Sequence, residues 1–327
     1  MKEIKNILIC GAGMMGKNIG YVFASNPSFQ VGMYDLYPTD VEAGIRTNTR
    51  QLLDKGVITE QELSDRLSRI SFTNDIDSDL VKNADLVIEA VFEDMKIKRE
   101  TFAKLEARCR PDTIFCTNSS VMSPSEISAE LQHRERFVGT HFWNPPFLIP
   151  LVEVVRTADV SDHAVDAVCD VLREAGKKPI VVKKDVPGFI ANRMQNALGR
   201  EAVSIIANGI ADPKDVDDAV KYSFGMRLGT IGPIEQIDAI GADLCLSISS
   251  YLYSYLEDSH EPSPLLKEKV ERGEAAYEDY YKQDFWLNFQ GDNARKHILL
   301  FGDESKSRFA SQEEAAAAMT TLTVPVW

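Results

Sequence analysis

The chain has 327 residues, 44% of them hydrophobic, and a formal net charge of −14. This length is sufficient for two domains that each bury a core of their own. So strong an excess of acids argues against nucleic acid or an anionic membrane as a partner. An anionic substrate would need a local group of basic side chains.

The cysteines give no sign of a disulfide framework or of a zinc site. The chain has five of them, an odd number, and no CxxC pattern. This usage is typical of reduced thiols. The N-terminus has charges followed by a strand-like run, unlike a signal peptide, and no apolar run is long enough to cross a membrane. These features predict a cytoplasmic protein that binds no metal.

A short buried strand is predicted over residues 6–10, and a glycine-rich turn follows it at once. The turn reads GAGMMG and contains Gly11, Gly13, Met14, Met15 and Gly16. Helical apolar spacing then continues to residue 25, and a second strand-like run over 30–34 ends in Asp35. This order predicts a dinucleotide-binding unit more specifically than the glycines alone. The alternative is a glycine-rich turn in an α/β protein without a cofactor.

Each member of this unit has a physical role. Gly11 makes the tight turn, Gly13 lets the main chain approach a pyrophosphate, and Gly16 lets the helix pack on its strand. The N–H groups at the helix N-terminus are available to the phosphates. Asp35 would accept hydrogen bonds from the adenine-ribose hydroxyls. Because no arginine follows Asp35 and a carboxylate repels a 2′-phosphate, the sequence predicts NAD rather than NADP.

Residues 39–70 are predicted to form a pair of helices, with Thr59 and Glu62 at capping-box spacing in the second. The insertion is long for a plain crossover, so we expect it to pack beside the ligand cleft. Strands then recur, with helical segments between many of them, at residues 70–72, 86–90, 113–116, 137–141, 151–155 and 179–182. Such alternation predicts the α/β class, with a Rossmann-type, mostly parallel sheet.

Two strand ends carry polar residues suited to a ligand site. The run over 86–90 leads into Glu93 and Lys98, and the run over 113–116 leads into Thr117-Asn118-Ser119-Ser120. Ligands of open α/β sheets bind beyond the carboxyl ends of the strands, so both stretches are predicted to face the cofactor. The alternative for the second stretch is a polar turn that caps the next helix.

A histidine and a glutamate lie in two further strand-like runs. His141 ends the run over 137–141, a turn containing Asn144 follows, and Glu153 lies in the middle of the run over 151–155. A carboxylate behind an imidazole fixes its tautomer and raises its basicity. The two residues are therefore candidates for a general base and its partner. The alternative is that each is structural or exposed.

A break is predicted at residues 185–188, and no strand pattern recurs beyond it. Helices are predicted over 189–207, 214–224 and 234–240, with a loop over 225–233 that contains Arg227. A helical stripe over 244–255 is typical of a core or a subunit interface. We predict two domains: a Rossmann domain over 1–186 and an all-helical C-terminal domain over 187–327. The tail of the second domain contains a capped helix at 311–319.

Four stretches together resemble the 3-hydroxyacyl-CoA dehydrogenase family over about residues 4–245: GAGMMG with its following Asp35, TNSS, HFWNPP with LVEVV, and PGFIANR. The resemblance implies NAD as cofactor, a helical C-terminal domain that forms a homodimer, and a catalytic set of four residues. The matching catalytic positions are Ser120, His141, Glu153 and Asn192. By the same matching, the positions that face NAD include Glu93, Lys98, Asn118 and Asn144.

The family chemistry implies that His141 takes the proton of a 3-hydroxyl while a hydride leaves C3 for the nicotinamide. Glu153 holds and stabilises His141, and Ser120 and Asn192 hydrogen-bond the reacting oxygen or the neighbouring carbonyl. The leading interpretation is an NAD-dependent oxidoreductase of fatty acid metabolism. Its substrate would be a 3-hydroxyacyl-CoA, with a 3-keto product.

Two departures from the family favour other substrates. Where family members hold CoA with a basic helix, residues 39–70 carry only Arg46, Arg50, Lys55, Arg66 and Arg69 among several acids. The 225–233 loop is more similar to relatives that oxidise free hydroxy acids, such as gulonate dehydrogenase (lambda-crystallin) and carnitine dehydrogenase. Arg227 could pair there with a substrate carboxylate, or it could be a structural loop arginine.

The first alternative is therefore a dehydrogenase of a small free hydroxy acid. An alternative of another class is a non-catalytic, NAD-binding protein similar to lens crystallin. The intact set of four catalytic positions argues against this last alternative.

Overall fold

A computed structural model of the chain describes residues 4–271. The chain divides after Arg193 into two compact units. The helix predicted at 311–319, like the rest of the tail, lies outside the described residues.

An eight-stranded sheet with the order β3-β2-β1-β4-β5-β6-β7-β8 forms the centre of the first unit. The neighbours pair in parallel, except that β6 and β7 pair antiparallel. The predicted α/β class with a mostly parallel sheet is thus confirmed. The strands are β1 (Asn6–Cys10), β2 (Gln30–Tyr34), β3 (Ile70–Thr73), β4 (Leu86–Glu89), β5 (Ile114–Thr117), β6 (Phe137–Phe142), β7 (Leu151–Val155) and β8 (Lys178–Val182).

Helices cover the sheet, so its central strands are near-continuous apolar runs, as is usual for a parallel sheet buried on both faces. Phe102 packs edge-on against Phe137, with ring centroids 4.7 Å apart. The helices that begin in this unit are α1 (Met14–Phe23), α2 (Val41–Asp54), α3 (Glu60–Leu67), α4 (Asp79–Lys82), α5 (Met95–Glu106), α6 (Pro124–Ile127), α7 (Asp162–Glu174) and α8 (Ala191–Ala207).

The predicted helical pair of the insertion corresponds to α2 and α3. The capping box of α3 forms: the Thr59 N–H donates to Glu62 Oε2 at 2.7 Å, and the Glu62 N–H donates to Thr59 Oγ1 at 3.1 Å. Each side chain therefore satisfies an N–H group that the first helical turn leaves without a partner.

Strand order fixes where a ligand can bind. β1 is flanked by β2 on one side and by β4 on the other, so the crossover that leaves β1 for β2 and the one that leaves β4 for β5 run in opposite directions across the sheet. A crevice opens at such a switch point, outside the carboxyl ends of the strands. The glycine turn, Asp35, Glu93 and the 117–120 turn all follow carboxyl ends.

The described part of the second unit contains helices and no strand. After α8 come α9 (Pro213–Lys221), α10 (Phe224–Leu228), α11 (Pro233–Ile240), α12 (Ala242–Leu252) and α13 (Pro264–Glu271). The loop predicted over 225–233 is wrong in its first half, because Arg227 lies in α10. A Cβ on Gly225 would come within 2.5 Å of the Val220 carbonyl oxygen. The absence of a side chain there lets α10 follow α9 closely.

The start of α8 also differs from the prediction. The sequence places a helix from residue 189, but the helix begins at Ala191. Gly188 and Phe189 have φ values of 77° and 50°, in the left-handed region, so the right-handed helix starts only after them.

The five cysteines, all within the described residues, are free. Burial raises the pKa of the Cys116 thiol well above its usual value. No helix within residues 4–271 combines the length and the apolar character needed to span a membrane.

Candidate active site

His141 and Glu153 face each other across the antiparallel pair of β6 and β7, where they are register partners. His141 Nδ1 lies 2.8 Å from Glu153 Oε2. The histidine is 4% exposed and the glutamate 0%. The structure thus brings together the two residues that the sequence places in neighbouring strands.

The second oxygen of Glu153 is held by main chain. Oε1 accepts hydrogen bonds from the N–H groups of Ile190 at 2.9 Å and Ala191 at 3.0 Å, at the start of α8. Burial raises the pKa of Glu153, but the hydrogen bonds from His141 and from these two N–H groups outweigh it and hold the pKa below its usual value. An ionised Glu153 keeps the proton of the neutral imidazole on Nδ1, so Nε2 remains as the acceptor.

The turn before α8 aims these N–H groups. Phe189 is a non-glycine residue with positive φ, a sparsely populated conformation. Its side chain is 2% exposed and packs with Val155 and Val182. Its ring centroid lies 5.7 Å from that of His141, and the Trp143 centroid lies 5.4 Å away. Aromatic rings therefore flank the imidazole and limit its access to water.

Ser120 and Asn192 also meet. The Asn192 side-chain amide donates to the Ser120 carbonyl at 3.3 Å. The Ser120 N–H donates to Glu93 Oε1 at 3.2 Å. Two residues earlier in this turn, Asn118 Oδ1 accepts from the N–H of Phe142, the residue after His141, at 2.9 Å. The turn that carries Ser120 is thus tied to the strand that carries His141.

Glu93 and Lys98 belong to a buried ionic group. Lys98 Nζ lies 2.8 Å from Glu89 Oε1 and 3.1 Å from Glu93 Oε2, and the lysine side chain is 1% exposed. Burial raises the pKa of Glu89. Burial also raises that of Glu93, but hydrogen bonds from Ser119 and Lys98 bring it below its usual value. Sequence reasoning missed Glu89; its signal was a single acid at the end of an apolar strand.

The glycine turn fits a dinucleotide. A Cβ on Gly11 would lie 2.6 Å from the Ala90 carbonyl oxygen, and one on Gly16 would lie 1.8 Å from the Gly11 carbonyl oxygen. A Cβ on Gly13 would meet nothing within 4 Å. Gly13 precedes α1 and no side chain caps that helix. The open surface and the uncapped N–H groups suit a pyrophosphate.

Asp35 lies beside this turn. Its Oδ2 accepts from the Ala12 N–H at 2.7 Å, and its Oδ1 accepts from the Tyr37 N–H at 3.2 Å. The carboxylate is therefore already oriented at the end of β2, where ribose hydroxyls are bound in dinucleotide sites. Within the glycine turn, Met14 is exposed and Met15 half-buried, while Asn144 is exposed in the turn after β6.

A lysine that the sequence did not single out holds the loop between β6 and β7. Lys177 Nζ donates to the carbonyl oxygens of Pro146 and, at 3.0 Å, of Ile149. Burial lowers the pKa of Lys177 to about 8. Because the partners are main-chain groups some thirty residues away along the chain, no local pattern marks this contact.

The basic side chains proposed to hold CoA phosphates have acidic neighbours. Arg46 Nε lies 2.9 Å from Glu42 Oε1, and its guanidinium also pairs with Glu60. Arg50 Nε lies 3.6 Å from Asp54 Oδ2. Arg227 is exposed in α10 of the second unit; its role in substrate binding stays a prediction.

Comparison with known proteins identifies the family of both halves of the chain. The model described as 3-hydroxyacyl-CoA dehydrogenase, NAD binding domain, matches residues 6–186, and that of the C-terminal domain matches residues 188–281. A probable 3-hydroxybutyryl-CoA dehydrogenase of Bacillus subtilis is 38% identical over 275 residues, which are 83% of this chain and 93% of the relative.

A second relative acts on a different compound. The 5-formyl-3-hydroxy-2-methylpyridine 4-carboxylate 5-dehydrogenase of Mesorhizobium japonicum is 33% identical over 309 residues, 91% of this chain and 97% of its own. A crystal structure of an enzyme of this name, described as NAD+ dependent, covers 90% of this chain and 97% of its own with a TM-score of 0.79. The (S)-3-hydroxybutyryl-CoA dehydrogenase of Ralstonia eutropha, 30% identical, covers 83% of this chain and 95% of its own with a TM-score of 0.68.

Proposed function

Because the chain belongs to the 3-hydroxyacyl-CoA dehydrogenase family and is an NAD-dependent oxidoreductase, we propose that it interconverts the 3-hydroxy and 3-keto groups of a 3-hydroxyacyl-CoA. The observation that carries this proposal is the 2.8 Å bond between His141 and Glu153, on the same sheet as a dinucleotide-binding glycine turn. A buried imidazole backed by an ionised carboxylate is suited to take a proton from a hydroxyl group.

In the oxidation direction, His141 Nε2 accepts the proton of the 3-hydroxyl. Glu153 keeps Nδ1 protonated and stabilises the imidazolium that forms. Ser120 and Asn192, which contact each other, hold the reacting oxygen or the neighbouring carbonyl by hydrogen bonds. NAD+ supplies the hydride acceptor. In reduction, His141 returns the proton to the oxygen.

We assign NAD binding to the glycine turn and Asp35 for the adenosine and pyrophosphate half. For the nicotinamide half we assign it to the surroundings of four residues, Glu93, Lys98, Asn118 and Asn144. The 40% side-chain exposure of Glu93 suits a direct contact, as does the exposed Asn144. Lys98 is buried, so it supports Glu93 rather than reaching the cofactor. Asn118 orients the main chain after His141.

A small free acid is the second candidate substrate. It is favoured by the pairing of Arg46 with two carboxylates, which leaves the insertion little positive charge for CoA phosphates. The Mesorhizobium relative, whose name gives a carboxylated pyridine as substrate, agrees with this candidate.

The two substrates predict opposite responses from two variants. For a CoA ester, an Arg46→Ala/Arg50→Ala/Lys55→Ala variant should raise the KM, and Arg227→Ala should leave it unchanged. For a free acid, Arg227→Ala should raise the KM about 10- to 150-fold, the value of one charge-assisted hydrogen bond, and the triple variant should do little. NADH absorbance with CoA esters and free acids side by side measures both.

Arg156→Ala serves as the control, because this surface arginine pairs with Asp162 and has no proposed substrate role. If NADH binds but no compound in the panel is turned over, the non-catalytic alternative is supported instead.

We propose that a second copy of the chain covers an apolar face of the helical unit, giving a homodimer. Among the described residues from 194 to 271, only Val216 is buried, while Leu246 and Tyr251 are 68% and 71% exposed. The described part of the helical unit thus presents exposed apolar side chains that an apolar partner surface would cover. Light scattering should give twice the chain mass, and Leu246→Glu should shift the protein toward a monomer. A wild-type monomer would contradict the proposal.

The free cysteines and the acidic net charge agree with a cytoplasmic location and with the absence of nucleic-acid or membrane partners. A 3-hydroxyacyl-CoA substrate would assign the reaction to fatty acid metabolism.

A further inference from the structure

Five residues form a closed ring of polar contacts at the carboxyl ends of β4 and β5, in which four contacts join side chains and one is made by the Ser119 main-chain N–H. In ring order they are Glu89, Lys98, Glu93, Ser119 and Thr117. Lys98 Nζ donates to Glu89 Oε1 at 2.8 Å and lies 3.1 Å from Glu93 Oε2. The Ser119 hydroxyl donates to Glu93, the Ser119 N–H donates to Thr117 Oγ1 at 3.3 Å, and Thr117 Oγ1 donates to Glu89 Oε2 at 2.7 Å.

The ring is buried apart from one member. Glu89 is 0% exposed, Lys98, Thr117 and Ser119 are each 1% exposed, and the Glu93 side chain is 40% exposed. Two carboxylates share one ammonium, so the ring contains an excess of negative charge. Burying such a group carries a desolvation cost that apolar side chains of similar volume would avoid. Stability alone therefore does not account for these residues at the ligand-binding edge of the sheet.

The ring fixes the turn that carries Ser120. The Ser120 N–H donates to Glu93 at 3.2 Å, and the Met122 N–H donates to Ser119 Oγ at 3.0 Å. Glu89 accepts three hydrogen bonds. Its two oxygens accept from Lys98 and from Thr117, and Oε1 also accepts from the Val91 N–H at 2.8 Å. Two chains of contacts run from Glu89 to the turn, one through Lys98 and Glu93 and the other through Thr117. Without Glu89, both chains of contacts are broken.

We propose that Glu89 is a positioning residue for the reaction, which acts through the ring to fix Ser120 relative to His141 and the bound substrate. The inference rests on the proposed function for the role of Ser120. The ring sets the main chain of the turn from the β4 side, while Asn192 of α8 donates to the Ser120 carbonyl and the Phe142 N–H of β6 donates to Asn118 Oδ1. A displacement of about 1 Å at a reacting group can lower a rate about 10²-fold.

Glu89→Gln tests this role, and Asp85→Asn is the matched control. Asp85 is a buried acid immediately before β4, at the opposite end of the same strand, where it pairs with Arg110 and accepts from the Asn6 N–H at 2.8 Å. We expect Glu89→Gln to lower kcat roughly 10- to 100-fold and to leave the NADH affinity, measured by fluorescence, within about threefold. Asp85→Asn should keep the wild-type kcat even where both variants lower the Tm.

A double-mutant cycle with Ser120→Ala separates positioning from general destabilisation. If Glu89 acts through Ser120, adding Glu89→Gln to Ser120→Ala causes no further loss of kcat. Full multiplication of the two losses, or a wild-type kcat in either single variant, would overturn the inference. Thr117→Val, which opens the ring without removing a charge, should lower kcat in the same direction and is used if Glu89→Gln folds poorly.

Amide hydrogen exchange gives a readout independent of turnover. Glu89→Gln should speed exchange of the Ser119 and Ser120 amides at least about tenfold, while Asp85→Asn should not. Unchanged exchange overturns the inference whatever the kinetics. Failure of the wild-type chain to turn over any 3-hydroxy compound contradicts the proposed function instead.

Discussion

Replacement of His141 by alanine is expected to lower kcat about 10²- to 10⁴-fold, the usual contribution of a general base, while NADH affinity stays within a few-fold. The expectation follows from geometry. His141 is bonded to Glu153 at 2.8 Å, and its Nε2 has no hydrogen-bond partner among the residues that the structure describes. The imidazole is thus oriented for a substrate proton, and its removal leaves the glycine turn unchanged.

Glu153→Gln should also lower kcat strongly, because a glutamine keeps the size of the side chain but not the charge that stabilises the imidazolium. The double variant should be no slower than His141→Ala alone, since the two residues act as a unit. Stopped-flow and steady-state NADH absorbance measure the rates, and fluorescence measures NADH binding. Near-wild-type turnover by His141→Ala would refute the proposed chemistry.

Gly16→Ala is expected to destabilise the fold by about 3 kcal/mol or more, at the upper end of the range for overpacked positions. Its Cβ would lie 1.8 Å from the Gly11 carbonyl oxygen. A main-chain oxygen cannot rotate away as a flexible side chain can, so α1 must separate from the turn. Thermal unfolding should show a large fall in Tm, and NADH binding should be lost with the structure.

Gly13→Ala is the matched variant in the same turn. Its Cβ meets nothing within 4 Å, and its φ of −70° is open to any residue. The Tm should therefore stay close to the wild-type value. NADH affinity should fall at least about tenfold, because the methyl group occupies the surface that a pyrophosphate approaches. Wild-type NADH affinity in Gly13→Ala would argue against this surface as the cofactor site.

The parts of the fold that the sequence predicts best are those with local signals. The predicted strands at residues 6–10 and 30–34 agree with β1 and β2 to the residue. Continuous apolar runs bounded by glycines and an acid leave few alternatives there. The capping box at Thr59 is likewise local. The sequence predicts that His141 and Glu153 can meet, because each lies in a strand-like run. The antiparallel register that aligns them is evident only in the sheet.

Features that depend on distant partners were not predictable. The left-handed Phe189 is held by burial against β7 and β8, and its own sequence neighbours favour a helix. Glu89 is central to the buried ring only because Lys98 and Thr117 reach it from α5 and β5. The sequence predicts a loop in the first half of the 225–233 segment, because glycine is unfavourable in a helix and Gly225 lies within the short helix α10.

The contact made by Lys177 bears on how this site can diversify. Its ammonium holds the carbonyl oxygens of Pro146 and Ile149 rather than their side chains. Side chains on this loop can therefore be exchanged while the path of the main chain is kept. His141 and Glu153 lie in the strands on either side, where the sheet sets their register. Substitutions of the Pro146 and Ile149 side chains are consequently expected to leave the register of His141 and Glu153 in place.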